Sequence, residues 1–494
     1  MTDTANCRPV DAAEVGHWDL EADVVVAGFG VAGAAAAVEA ARSGADVLVL
    51  ERTGGWGGAA SQAGGFVYLG GGTALQRALG FDDTPANMEK FLLAALGPGA
   101  DRAKIADYAE NSVAHYDWLV GCGVRFREAF WDQPGWEPPH DEGLMYSGGE
   151  NAAPFNAIAT PAPRGHVPQM ANKQTGAKGG GYMLMKPLTD TAAALGVRAE
   201  YDIRIRRLVV DDGRVVGVLA TRFGAPVAVR ARRGVVLATG SFAYNTTMVE
   251  NFAPLLVGRP GAAIEEHDGT AIRMAQALGA DLSHMDATEV AFFGDPQLLA
   301  RGILVNGRGQ RFVPEDTYPG RIGQMTLLHN ENQAYLIIDE QALEAASATE
   351  TATPFFRVPP TWAAESIAEL EADMGLPELA LQTTVQTYNH HAKTGTDPLF
   401  GKKPEWLEPI GTPVAGFDLR GRTAGFTLGG LRTDLDSRVL HVNGEPIAGL
   451  FAAGRCTAGL CAGGYVSGAS LGDGSFFGRR AGAAAAHADT DEGQ

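Results

Sequence analysis

Between Asp23 and Glu51 the chain spells out one supersecondary unit, and that unit constrains most of what the rest can be. Asp23-Val24-Val25-Val26-Ala27 is β-branched and apolar, the pattern of a parallel strand buried on both faces. Gly28-Phe29-Gly30-Val31-Ala32-Gly33 follows, then an alanine-rich helical stretch to Ser43, then a second apolar run from Asp46 to Leu50, ending on Glu51. Strand, GxGxxG, helix, strand and acid in that order make a dinucleotide-binding unit. Gly28 makes the tight turn, Gly30 lets a pyrophosphate approach the backbone, and Gly33 lets the helix pack on the strand. The helix start at Val31 and Ala32 offers N–H groups and a partial positive charge to phosphates. Glu51, with Arg52 beside it, stands where ribose hydroxyls need partners.

With 494 residues the chain exceeds a single core, so two or three domains are expected. Its 65 glycines follow no period and lie between apolar runs, which points to a backbone that approaches a large ligand at several places. A second glycine cluster, Gly54 to Gly65, follows the acid directly; Gly57, Gly58, Ala59, Ala60, Ser61, Gly64 and Gly65 are its candidate contacts. A nicotinamide dehydrogenase has no use for a backbone-exposing loop there, whereas FAD must be threaded past the pyrophosphate toward its ring. FAD is therefore the expected cofactor. Further glycine-ended strands follow at Gly234 to Gly240, closing on Ala238-Thr239-Gly240, and at Ile447 to Gly454. Gly468-Ala469-Ser470-Leu471 then opens an alanine-rich last helix.

The net charge of −19, from 39 basic and 58 acidic residues, opposes binding to nucleic acid or anionic membranes. The apolar run Val24 to Val38 is too short and too rich in Gly and Ala for a membrane span. Met1 to Leu20 is polar, carries Asp3, Asp11 and Glu14, and reads as neither a signal nor a transit peptide. Cys7, Cys122, Cys456 and Cys461 show no CxxC and no zinc spacing, so reduced thiols in the cytoplasm are expected. His140, His166 and His284 lack metal spacing, and no metal is expected. The acidic segment Glu365 to Met374 reads as a solvated amphipathic helix, and His390-His391 as an exposed helix end.

Four segments in order carry a resemblance: the GxGxxG unit, Gly58-Ala59-Ala60-Ser61-Gln62-Ala63-Gly64-Gly65, the Ala238-Thr239-Gly240 strand end, and the terminus from Gly449 to Gly482. Together they resemble the fumarate reductase/succinate dehydrogenase flavoprotein family. The resemblance implies an α/β fold with a Rossmann-type FAD-binding domain, residues 1–280 and 430–494, and an inserted α+β catalytic cap, 281–429. It also implies FAD contacts at Ile205, Asp268-Gly269, Gly454-Arg455 and Ala469-Ser470-Leu471. Asp268 can equally cap the helix that follows. The family's flavin-linking histidine has no counterpart in the 54–65 loop, so non-covalent FAD is expected.

The dicarboxylate enzymes of that family clamp substrate with His and Arg and deliver a proton from an arginine soon after a Gly-Arg-Phe-x-x-Glu segment. Here Gly309-Gln310-Arg311-Phe312-Val313-Pro314-Glu315 runs on to Tyr318-Pro319 instead, with Arg321 beyond the Pro-Gly turn. Phe426 stands near the family's histidine, and Arg455 replaces a glutamate. A pocket without its cationic clamp rejects fumarate and succinate, because a desolvated carboxylate needs a partner. Tyr465-Val466-Ser467-Gly468 before the last helix, with Tyr318, Phe292 and Phe293 as aromatic wall, resembles the 3-ketosteroid dehydrogenase branch, and most nearly its Δ4-(5α) type. The implied reaction is C4–C5 dehydrogenation of a 3-ketosteroid or related small apolar ketone: a base takes the α-proton, flavin takes hydride, and an unidentified acceptor takes the electrons. Tyr318, Tyr465, Ser467 and the Gly468 N–H form the expected proton-handling group, with either a tyrosinate or a Tyr–Ser relay as base. A flavin ene-reductase, a Δ1-type dehydrogenase and an inactive FAD-binding protein are the alternative readings.

Overall fold

A computed structural model describes residues 7–168 and 179–488; the first six residues of the polar N-terminal segment lie outside them. The strand Leu20–Ala27 is central, and Val24, Val25 and Val26 are fully buried, as a run without alternation requires. It pairs in parallel with Val47–Leu50 on one side and with the end of Ala225–Leu237 on the other. Arg198–Glu200 extends the sheet beyond Val47–Leu50, also in parallel. On the far side the late strand Pro446–Ala452 joins, with Val236 opposite Phe451. The first half of Ala225–Leu237 also pairs with Arg214–Arg222, which with Ile203–Asp211 makes an antiparallel meander in the same sheet.

The helix Val31–Arg42 packs on this sheet, and the terminal helix Ala469–Ala486 packs on it in turn. Their approach depends on small residues: a β-carbon at Gly478 or Gly482 would collide with the backbone of Ala32 or Ala36. A β-carbon at Gly33 would likewise strike the Gly28 carbonyl. Part of the glycine excess thus serves helix–helix and helix–strand packing rather than a ligand, which corrects the expectation drawn from composition.

The strands between 288 and 427 form sheets of their own. Thr288–Phe292 pairs with Thr423–Thr427, while Ile303–Val305, Tyr335–Asp339, Val414–Asp418 and Trp362–Ala364 make a four-stranded antiparallel sheet. Phe292 is fully buried in the core behind this second sheet, and Phe293 stacks on Phe356, so neither forms the expected wall of the site. In the helix Ile367–Asp373, Glu371 is 4% exposed and accepts hydrogen bonds from Leu379 N, Leu381 N and Gln382 N. It caps the next helix, Ala380–Ala392, rather than facing solvent. His390 and His391 do end that helix. Among the described residues no helix is long and apolar enough to cross a membrane.

Candidate active site

A cleft with about 1500 Å3 of empty space, its solvent mouth included, runs from the Gly28 turn to the start of the terminal helix. Gly28, Gly30, Val31 and Ala32 form its floor at one end, with Glu51 and Arg52 beside them. Gly58, Ala59, Ala60, Gly64 and Gly65 make one wall; Ile205, Ala238, Thr239, Gly240 and Asp268 make the other. Gly454 and Arg455 continue it toward Tyr465, Ser467, Gly468, Ser470 and Leu471. Gly33, Gly57, Ser61, Gly269 and Ala469 do not line the cleft. Gly33 lies in the helix–strand contact, Gly57 and Ser61 shape the second glycine loop, and Gly269 packs on Phe242 and Met248.

Glu51 accepts from Phe29 N at 2.8 Å through one oxygen and from Thr53 N at 2.8 Å and Thr53 Oγ1 at 3.0 Å through the other, which fixes it while leaving the first oxygen a lone pair. Asp268 accepts from Thr270 N at 3.0 Å at a helix start and lines the cleft. Its second oxygen binds Arg52 at 2.8 Å and Arg204 at 2.9 Å. Arg455 is tied to the fully buried Asp473 at 2.9 Å. His267, on the same wall, is held neutral by burial, its pKa lowered to about 4. Among the described residues, every arginine on the wall (Arg52, Arg204 and Arg455) therefore already faces a carboxylate, and the wall they form offers a dianion no unpaired cation. Arg321 stands off the wall, its guanidinium 4.9 Å from the Phe155 ring centre.

These residues fit FAD. A β-carbon at Gly30 would meet no protein atom nearer than 3.9 Å, so the space above it is open to a ligand. The helix it starts has no side-chain cap, leaving its first N–H groups directed into the cleft. At the opposite end Ser470 Oγ is buried without a protein partner, and the terminal helix also starts without a side-chain cap. Gly468 begins that helix at φ +98°, where a β-carbon would crowd Phe66 and the backbone of Tyr68.

The reaction end is made of side chains. Tyr465 and Ser467 are half-buried and face the cleft. The Tyr465 hydroxyl oxygen accepts from Ser470 N at 3.3 Å, and its ring meets Phe426 edge-on, centroids 5.6 Å apart. Phe426 thus does belong to the wall. Ser467 is clamped through its backbone: Ser467 N donates to Ser147 O at 3.0 Å, and Ser147 Oγ donates to Ser467 O at 2.9 Å.

Tyr318 precedes the helix Pro319–His329 and does not line the cleft, and the Ser467 side chain is among the groups that favour its ionised form. The Tyr318 hydroxyl donates to Glu289 Oε1 at 2.9 Å. Burial first, then Glu289 and Tyr465, push the Tyr318 pKa well above the ordinary tyrosine value, and burial raises Tyr465 as well. Both are neutral phenols at neutral pH. Burial thus works against a tyrosinate at either position and favours a hydroxyl relay.

Glu289 escaped the sequence reading. Its strand, Thr288-Glu289-Val290-Ala291-Phe292, has apolar Val290 and Phe292 in the core, so period-two alternation assigns Glu289 to an outer, solvated face. That face turns to the site instead. Glu289 is 3% exposed and sits across the sheet from Phe426. Burial raises its pKa to about 7 against the pull of Tyr318, the Val290 N–H and Arg321. The only sequence signal was a carboxylate in an otherwise apolar strand.

Comparison with known proteins agrees with this geometry. The profile of the FAD binding domain family matches residues 23–472. The 3-ketosteroid Δ4-(5α)-dehydrogenase of Rhodococcus jostii RHA1, solved with 4-androstene-3,17-dione, is 72% identical, covers 97% of this chain and 99% of its own, and superposes with a TM-score of 0.96. The 3-oxo-5-alpha-steroid 4-dehydrogenase of Comamonas testosteroni is 28% identical over 90% of this chain and 94% of its own. The 3-oxosteroid 1-dehydrogenase of Mycobacterium tuberculosis is 29% identical over 88% and 92%. Nearly the whole chain is therefore accounted for by one family of flavoproteins, and this chain belongs to the FAD binding domain family, in its 3-ketosteroid dehydrogenase branch.

Proposed function

We propose that this chain dehydrogenates the C4–C5 bond of a 5α-3-ketosteroid, with Ser467, Tyr318 and Tyr465 handling the proton and the enolate. The reading is carried by one observation: neutral hydroxyls of Tyr465 and Ser467, backed by Tyr318, stand beside the start of the terminal helix in a cleft whose arginines are all paired. Such a site suits an uncharged substrate with a carbonyl handle.

FAD, held non-covalently along the glycine floor, supplies a two-electron acceptor for the hydride that leaves C5. Tyr465 receives the Ser470 N–H at its oxygen, so its own proton is free to meet the steroid C3 oxygen. A donor so placed stabilises the developing enolate by about 3 kcal/mol. Ser467, a hydroxyl on the cleft wall that bears on the acidity of Tyr318, takes the C4 proton as its own proton passes to Tyr318. Phe426 shields the reacting edge from water. The division into an FAD-binding body, 1–280 and 430–494, and a cap, 281–429, puts Tyr318 and Glu289 on the cap and Tyr465 and Ser467 on the body, so the group completes itself where the two meet. An unidentified electron acceptor would complete the turnover, and cysteines that form no disulfide suit the cytoplasm.

Anaerobic titration tests the reading. A 5α-3-ketosteroid is expected to bleach the flavin stoichiometrically, whereas succinate leaves it oxidised. Bleaching by succinate, or none by any saturated ketosteroid, overturns it.

A further inference from the structure

We infer that Glu289 is the proton acceptor at the end of the Ser467–Tyr318 relay, taking at Oε1 the proton that leaves the steroid C4. This rests on the substrate reading above. The relay's two hydroxyls are neutral and cannot keep an extra proton; each can only receive one and give up another. A carboxylate in hydrogen-bond contact with the inner hydroxyl closes the chain. Tyr318 donates to Glu289 Oε1 at 2.9 Å, while Oε2 is buried without a hydrogen-bond partner, so the anion is under-solvated and gains by protonation. Glycine at position 320 makes this contact possible, since a β-carbon there would collide with both the Tyr318 ring and Glu289 Oε1.

The titratable, charged and polar groups that face Glu289 come from three elements. Tyr318 and Arg321 face it from the helix start, Tyr465 and Cys461 from the segment before the terminal helix, and the Val290 N–H from its own strand. Arg321 alone among them is a cation. Burial outweighs it and leaves the carboxylate with a pKa of about 7. In the step itself the C4–H bond breaks and its electron pair stays on the steroid as the enolate. Ser467 Oγ gains the C4 proton, Tyr318 Oη gains the Ser467 proton, and Glu289 gains the Tyr318 proton to become a neutral acid. Glu289 touches no substrate and acts through Tyr318.

The test is Glu289→Gln, which keeps an acceptor oxygen for Tyr318 but cannot take the proton. In the wild type the rate of flavin reduction by a 5α-3-ketosteroid should rise with pH through an inflection near 7, and the infrared carboxyl band should titrate there without any substrate. In Glu289→Gln the rate should fall at least about a hundredfold, the range for a lost general base, with both the inflection and the band gone. Tyr318→Phe should lose the kinetic inflection yet keep the infrared titration, and this arm decides the matter should the glutamine variant misfold. Retention of the rate and its pH profile by Glu289→Gln overturns the proposal alone. A wild-type flavin that no ketosteroid bleaches overturns the substrate reading and the proposal with it.

Discussion

At the Gly30 end of the cleft the working surface is peptide backbone, whereas at the Tyr465 end it is side chains. The first is one contiguous stretch: a turn, a helix start and an acid, all within residues 28–51. The second is assembled from distant parts of the chain, with Glu289 from one strand, Phe426 from the strand paired with it, Tyr318 from a helix start, and Tyr465 and Ser467 from the segment before the last helix. A backbone site tolerates little in the way of added bulk but is indifferent to most side-chain chemistry. A side-chain site has the opposite sensitivities, and this difference can be tested from both directions.

The largest effect should come from bulk at the backbone end. Gly30→Val places a branched side chain where a β-carbon would meet no protein atom nearer than 3.9 Å, on the cleft floor, so the fold should survive while bound flavin is lost. The expected result is a folded, colourless protein, checked by circular dichroism and absorbance. Next come the hydroxyl deletions. Tyr465→Phe, Tyr318→Phe and Ser467→Ala should each keep full flavin and slow its reduction at least about a hundredfold, as expected for acid–base groups. Ser467 joins the tyrosines here because Tyr318 stands off the cleft wall and reaches the substrate only through it. Stopped-flow reduction by a 5α-3-ketosteroid is the measurement.

A third effect concerns stability. The Glu289 pKa rises from 4.5 to about 7 on folding, so its folded form binds more protons than the unfolded chain. The stability that protonated Glu289 contributes is complete below pH 4.5 and lost as pH rises through 7. Relative to wild type, Glu289→Gln should therefore gain stability across that window and hold the gain above it, by at most about 3 kcal/mol at 1.36 kcal/mol per pH unit. Denaturant unfolding at pH 5 and pH 8 reads this directly; equal differences at the two values would break the account. The smallest effect should be Glu51→Gln, which exchanges a charge-assisted contact for a neutral one. Flavin affinity should fall roughly fivefold, about 1 kcal/mol, by equilibrium dialysis. A larger loss would show that side-chain chemistry counts at the backbone end too.

The contrast also explains what could be read from the sequence. The strand, turn, helix and acid from Asp23 to Glu51 are set by local propensity and steric need, and the structure has them at the expected residues. Tyr465 and Ser467 were legible because they adjoin a recognisable helix start. Glu289 was not: its polarity within a strand has the same pattern whether the outer face meets water or a cleft, and only tertiary packing decides which. Phe292 and Phe293 failed for a related reason. Aromatic residues mark burial, but not which of two interiors they join; Phe292 went to the core of the second sheet. Glu371 shows the same limit, since an acid on an amphipathic helix gives no sign that another helix will dock its N-terminus upon it.

The late strand Pro446–Ala452 beside Val236 and the terminal helix against Ala32 and Ala36 bear on how the protein is made. A ribosome that has released residues 7–440 has already delivered the whole dinucleotide motif, yet the sheet still lacks an interior strand and the first helix still exposes the face that Gly478 and Gly482 cover. Domains that emerge early generally fold as units, but here the earliest segment must wait for the latest. Cofactor capture is therefore expected only once residues 446–486 have emerged, and arrested nascent chains that end before Pro446 should bind no flavin.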